Sequence, residues 1–117
     1  MPENSFPSPF QILSSTNFRV DSDVNANSVI TIPNGVIFQV EWGYSAPPAA
    51  AATLTITDGG TVRFQIPITQ DGPGSIRFEP AMMASAAAND LVVTLLAGGA
   101  GITGYLNVTA IEGEPPI

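Results

Sequence analysis

The chain has no cysteine and no histidine, and lysine is missing too, so its three cations are all arginine. Each absence removes a class of chemistry. Without cysteine there is no disulfide and no thiolate metal site. Without histidine, the commonest transition-metal ligand and the commonest acid–base group near neutral pH are gone. A Ser-His-Asp triad and a Cys-His pair are therefore ruled out, and zinc lacks its usual ligands. Charge of either sign is scarce, at 11% of residues, against about a quarter in an average soluble domain. What charge there is runs negative: ten acidic residues against three arginines give a formal net charge of −7. Such a surface repels phosphate backbones and anionic lipids, so neither nucleic acid nor a membrane is expected as a partner. No apolar run approaches the roughly 20 residues of a membrane-spanning helix. No basic segment followed by an apolar one reads as a signal peptide.

What the chain does contain is punctuation. Eleven prolines and eleven glycines are spread over 117 residues, a length that suits one domain. Between them lie short runs with the two-residue period of half-buried strands. Asn27–Ile32 leads to a turn at Pro33-Asn34-Gly35. Val36–Trp42 alternates, with Val36, Phe38, Val40 and Trp42 on one face and Ile37, Gln39 and Glu41 on the other. Thr53–Thr57 and Thr61–Ile66 flank Asp58-Gly59-Gly60, a tight hairpin turn in which Asp and Gly tolerate positive φ. Ser75–Glu79 follows and should stop at Pro80. Ala81–Ala88 suits one or two helical turns, with Met82 and Met83 as core plugs. Asp90–Leu96 is the most apolar run and is expected at the centre of a sheet. Thr103–Ile111 closes the series. Phe10–Leu13, extended through Phe18–Val20, is a further strand candidate. Seven to eight short strands without a long helical period predict an all-β domain, an antiparallel β-sandwich or jelly roll. We divide the chain into an irregular Pro-rich arm at 1–18, the sandwich at 19–112 and a tail at 113–117.

A search for chemistry returns little. Asp21-Ser-Asp-Val-Asn25 opens like an EF-hand loop, but that loop needs Gly at its sixth position and Glu at its twelfth. Ala26 and Ile32 stand there instead, which leaves at most a loose calcium clip at Asp21 and Asp23. Gly98-Gly-Ala-Gly101 lacks the lysine and following helix of a phosphate loop. Asp58 and Asp71 sit in turns, where Asp is common for backbone reasons. Asn107-Val-Thr109 fits a glycosylation sequon but lies inside a strand. No catalytic residue, cofactor or metal site is expected. A sparsely charged surface is covered by small polar residues or by a partner, so binding is the expected activity. Trp42 shares the parity of Val40 and is assigned to the core. Tyr44, beyond Gly43, is placed at an exposed position. Arg63 and Arg77 lie mid-strand on outward faces, where they could reach carboxylates of an adjacent subunit or of their own chain.

Four stretches carry a resemblance: Trp42-Gly-Tyr-Ser45, Leu54-Thr-Ile-Thr-Asp-Gly-Gly60, Gly72-Pro-Gly74 and the segment from Ala88 to Val108. In strand and turn texture they resemble small β-rich virion proteins of tailed bacteriophages and prophages. Among these, capsid decoration or cement proteins match best in size. The resemblance implies a structural virion protein, made in the host cytoplasm, that binds the outer surface of the capsid. It implies the major capsid protein as partner and self-association as a homotrimer. The arm at 1–18 would then be the clamp, with Phe6 and Phe10 as apolar anchors chosen on their chemistry. Tyr44, Arg63 and Arg77 complete the expected partner-binding set. The alternative is a receptor- or glycan-binding module of a tail fibre or baseplate, using Trp42, Tyr44 and acidic turn residues in a groove.

Overall fold

The computed structural model of the chain describes residues 16–22, 26–49, 52–86, 88–99 and 101–112. Eight strands run in order: β1 (Thr16–Ser22), β2 (Ser28–Pro33), β3 (Val36–Tyr44), β4 (Ala52–Asp58), β5 (Thr61–Ile68), β6 (Gly74–Met83), β7 (Asp90–Leu95) and β8 (Gly104–Ile111). They form two four-stranded sheets, ordered β1-β8-β3-β6 and β2-β7-β4-β5. All pairings are antiparallel. The pairs nest: β4 with β5, β3 with β6, β2 with β7 and β1 with β8, alternating between the sheets. That is one long hairpin ribbon rolled upon itself, which defines a jelly roll. Of the expected architectures, the rolled one is observed.

Alternation explains which side each strand buries. In β4, Ala52, Leu54, Ile56 and Asp58 point inward while Thr53, Thr55 and Thr57 point out. Leu91, Val93 and Leu95 of β7 and Leu106, Val108 and Ala110 of β8 do the same. These residues meet Ile30, Ile32, Ile37, Val40 and Trp42 in one aliphatic layer between the sheets. The inner strands of each sheet, β7 and β4, β8 and β3, carry most of it, so Asp90–Leu95 is central as expected. The turn at Gly59-Gly60 has φ of 60° and 91°. Positive φ at both central positions is the type I′ geometry that the Asp-Gly-Gly sequence predicts.

Three expectations about elements change. The face assignment in β3 fails at its start, because a bulge lies between Ile37 and Gln39. The bulge resets the parity, so Ile37 joins Val40 and Trp42 in the core while Val36 and Phe38 lie only partly covered. Pro80 does not stop β6. The strand runs on to Met83, and Pro67 likewise lies within β5. Both are edge strands, where a missing N–H on the open side costs no ladder hydrogen bond. Consequently Ala81–Met83 are extended rather than helical. Met82 packs on the core, but Met83 is 62% exposed and plugs nothing. At the N-terminus, Thr16–Phe18, assigned to the arm, are the first residues of β1, because Phe18 alternates with Val20 against the core. The remainder of the arm, Phe10–Leu13 and the tail at 113–117 lie outside the described residues.

Leu54 is fully buried in an inner strand. Leu54→Ala should lower the free energy of unfolding by about 2–5 kcal/mol, read from the midpoint of a urea transition with unchanged slope.

Candidate functional site

Among the described residues, two sheet faces, two grooves and a buried carboxylate are features that can carry function. The outward face of β2-β7-β4-β5 is built by register. One row across it reads Val29, Thr94, Thr55, Gln65, and the next reads Thr31, Val92, Thr57, Val62. None of these eight side chains is ionisable. Val29 and Val62 are 46% and 55% exposed, and Gln65 Nε2 donates to Thr55 Oγ1 at 2.9 Å. Seven of the eight are β-branched, which favours extended backbone and leaves χ1 stiff.

The outward face of β1-β8-β3-β6 has the opposite character. Its rows read Asn17, Thr109, Gln39, Arg77, then Arg19, Asn107, Glu41, Ser75, then Asp21, Tyr105, Gly43. Here the polar groups engage one another. Arg19 pairs with Asp21 at 2.7 Å and lies 4.8 Å from the centre of the Tyr105 ring. Asn107 Nδ2 donates to Glu41 Oε1 at 3.2 Å, so the sequon asparagine is committed to its own sheet. Arg77 pairs with Glu79 at 3.3 Å, both well exposed. A groove of about 440 Å³ at one end of this sheet is lined by Asp21, Gly43, Tyr44, Ser45, Thr103 and Tyr105. A second, of about 340 Å³, lies at the β6 edge, lined by Phe38, Arg77, Phe78, Glu79, Pro80 and Ala81. It exists because β6 bulges out of register opposite Phe38, leaving Phe78–Ala81 unpaired in the ladder.

The expected site residues separate. Tyr44 is not exposed: only 9% of it is accessible. Gly43 does not end the strand, since it lies flat beneath the Tyr105 ring, where a Cβ would come within 2.5 Å of Cε2. The strand therefore continues, and the Tyr44 hydroxyl donates to the Leu96 carbonyl at 2.7 Å. Burial pushes its pKa up to about 12. Trp42 is in the core, as expected. Arg63 serves its own chain: its Nη1 donates to Asp58 Oδ2. Arg77 likewise has its carboxylate within the chain, though exposure keeps that pair weak. Phe6 and Phe10 lie outside the described residues. Asp21 is occupied by Arg19, and Asp23 lies outside the described residues. Among the described residues no three His, Cys, Asp or Glu side chains gather around a metal position.

Asp58 holds more than a turn. It is almost wholly buried. Besides Arg63, it accepts from Asn89 Nδ2 at 2.9 Å and from the Ser85 N–H at 3.0 Å. Burial works to raise its pKa, but these hydrogen bonds outweigh it and hold the carboxyl below its usual range. The carboxylate thus ties the β4–β5 hairpin to the β6–β7 connection. Spacing could not reveal this, because Asn89 and Asp58 are 31 residues apart.

No protein-family model matches the chain, and no curated sequence matches it. Some solved structures are similar to it, at TM-scores of 0.44 and below. One is the CBM36-1 domain of a multidomain xylanase from the hindgut metagenome of Trinervitermes trinervoides. It is 9% identical, covers 89% of this chain and 93% of that one, and has a TM-score of 0.44. Another is from Bacillus endospore appendages, a family of disulfide-linked pili, at 14% identity, 87% and 91% coverage and a TM-score of 0.43. A third is the Tobacco streak virus coat protein, at 11% identity, 89% coverage of both chains and a TM-score of 0.39. Likeness at this level does not bear on function.

Two pH limits follow. A carboxylate with a depressed folded pKa contributes stability that is present above the unfolded value, about 3.9, and is lost as pH falls through the folded one. The melting temperature should therefore drop below about pH 4, and Asp58→Asn should lower it at neutral pH while flattening that acid limb. A phenol with a raised folded pKa does the reverse. Its contribution is complete below the unfolded value near 10 and is lost as pH rises toward about 12. Tyr44→Phe should remove most of that alkaline loss and cost about 1 kcal/mol at neutral pH for the missing hydrogen bond. Melting curves across the pH range check both.

Proposed function

We propose that this chain is a structural virion protein, a capsid decoration (cement) protein that binds the outer surface of the head and holds neighbouring capsomers together. The observation that carries the reading is the uncharged Val/Thr centre of the outward face of β2-β7-β4-β5. Interface cores are depleted in charge, and covering this face strips water from no ion. Its stiff side chains lose little rotamer freedom on docking. In this reading the face joins copies of the chain into a homotrimer, and the arm at 1–18 reaches the major capsid protein through Phe6 and Phe10. Contacts made only on the mature shell stabilise that shell by linkage.

The glycan-binding alternative has less support, because its two aromatic carriers do not face outward. Trp42 and Tyr44 are buried, and the ring of Tyr105, which lines the larger groove, already stacks with Arg19.

Light scattering coupled to size exclusion tests the assembly. The full chain should run as a trimer. Thr55→Arg, at the centre of the neutral face, should give a folded monomer whose melting temperature is lower than the trimer's and no longer rises with protein concentration. A monomeric wild type would sink the trimer, and a trimeric Thr55→Arg would move the subunit contact elsewhere. Removing residues 1–15, which leaves β1 whole, should abolish co-sedimentation with purified heads while leaving the trimer intact.

A further inference from the structure

The groove at the β6 edge has the chemistry of a proline-segment site. Phe38, Phe78, Pro80 and Ala81 give it apolar walls, with the Arg77–Glu79 pair at its rim. Aromatic-lined grooves of this kind take extended Pro-rich segments, whose preformed polyproline conformation loses little entropy on docking. This chain contains such a segment, Phe6-Pro7-Ser8-Pro9-Phe10. Phe6 and Ser8 each precede a proline, which biases them toward the same extended geometry.

Register places the two within reach. Thr16, where β1 begins, lies on one row with Ala110, Ile37 and Met82. The groove residues Phe38 and Ala81 adjoin that row and Phe78–Pro80 follow it along β6, so the start of β1 and the groove lie toward one end of the sheet. Three inter-strand steps separate β1 from β6, about 14 Å. The six residues from Phe10 to Thr16 can span about 20 Å. Charge offers no obstacle, because residues 4–15 carry none and the rim pair neutralises itself. A tether little longer than its span gives a millimolar-range effective concentration, which favours the chain's own segment over a second copy.

We infer that this groove is the docking site of the chain's own Phe6–Phe10 segment in the free protein. Docked there, the two phenylalanines are kept from water until a partner competes for them. The inference does not need the capsid reading, and its test contains no capsid.

The absence of cysteine makes a clean experiment. Ser8→Cys in the full chain carries a nitroxide, and amide signals are read in isotope-labelled protein. The amides of Phe38, Arg77, Phe78, Glu79 and Ala81 should be broadened away while Thr55, on the opposite sheet, keeps full intensity. The loss should persist when the sample is diluted with unlabelled, unmodified chain. Phe6→Ala with Phe10→Ala in the same chain should restore the signals while amide shifts away from the groove stay those of the folded chain. Broadening seen only when a spin-labelled chain is mixed with a separate isotope-labelled chain would overturn the inference in favour of a second copy. No broadening at the groove, or broadening that survives loss of both phenylalanines, would overturn it outright.

Discussion

One aliphatic layer, closed on both sides by four-stranded sheets, is what the rest of this molecule depends on. It is built mainly from β-branched and leucine side chains at alternate positions, with the rings of Trp42 and Tyr44 among them. Nothing covalent supports it, since the chain has no cysteine to cross-link. Burial of apolar area must therefore offset the entropy of ordering the chain. That demand fixes the parity of every inner strand, and parity in turn decides which residues face water. The threonines of β4 are outside because Leu54 and Ile56 must be inside. The composition of the surface is in this sense a by-product of the core, and the neutral face inherits its flatness from the sheet beneath it.

A layer of this kind is nonpolar throughout, so it does not by itself fix how the rolled ribbon closes at its ends. Directional groups do that at two points. Asp58 joins the tip of the one local hairpin to Ser85 and Asn89 across the top of the sandwich. Tyr44 joins the end of β3 to the carbonyl of Leu96 beyond β7, with its own N–H bonded to the Asp71 carbonyl. Each reaches between the sheets, and each is a polar group whose burial would be costly without its partners. Between β5 and β6, where the sheets have open edges on the same side, Phe64 and Phe78 meet edge to face at 5.3 Å and close the gap. The edge carrying Phe78 is thereby held in place while its neighbours Pro80 and Ala81 are left out of the ladder.

Local pattern was legible in the sequence, and long-range pairing was not. Asp58-Gly59-Gly60 announced its hairpin because the turn geometry needs those residue types. The same aspartate hid its second role, since a carboxylate's distant partners leave no mark on spacing. Trp42 could be placed by parity, yet parity failed four residues earlier, where a bulge at Phe38 let Ile37 take the inward position. A sequence of consecutive apolar residues, Val36-Ile-Phe38, does not say which of them the bulge will turn out. Tyr44 was misplaced because Gly43 reads as a breaker, whereas here the glycine makes room for a neighbouring aromatic ring. Prolines misled in the same way: Pro80 ends a central strand but passes unnoticed in an edge strand, and edge status belongs to the sheet order. Sheet order was the least visible property of all, as β1 meets β8 across most of the chain.

The two faces divide the surface between them. On β1-β8-β3-β6 Arg19, Arg77, Glu41 and the Asn107 NH2 group already have partners within the chain, so a ligand there must displace existing contacts or accept exposed ones of little strength. On β2-β7-β4-β5 the centre holds neither charge nor a strong mutual network, so a docking partner would meet little resistance from desolvation. Net charge works alongside this division. A surplus of carboxylates on a sparsely charged molecule discourages random self-contact, but it does so weakly at the centre of the neutral face, whose two Val/Thr rows hold no ionisable group and which meets Asp90 only at its edge. In the proposed assembly, docking at this face would be directed less by attraction than by repulsion and desolvation both being small there.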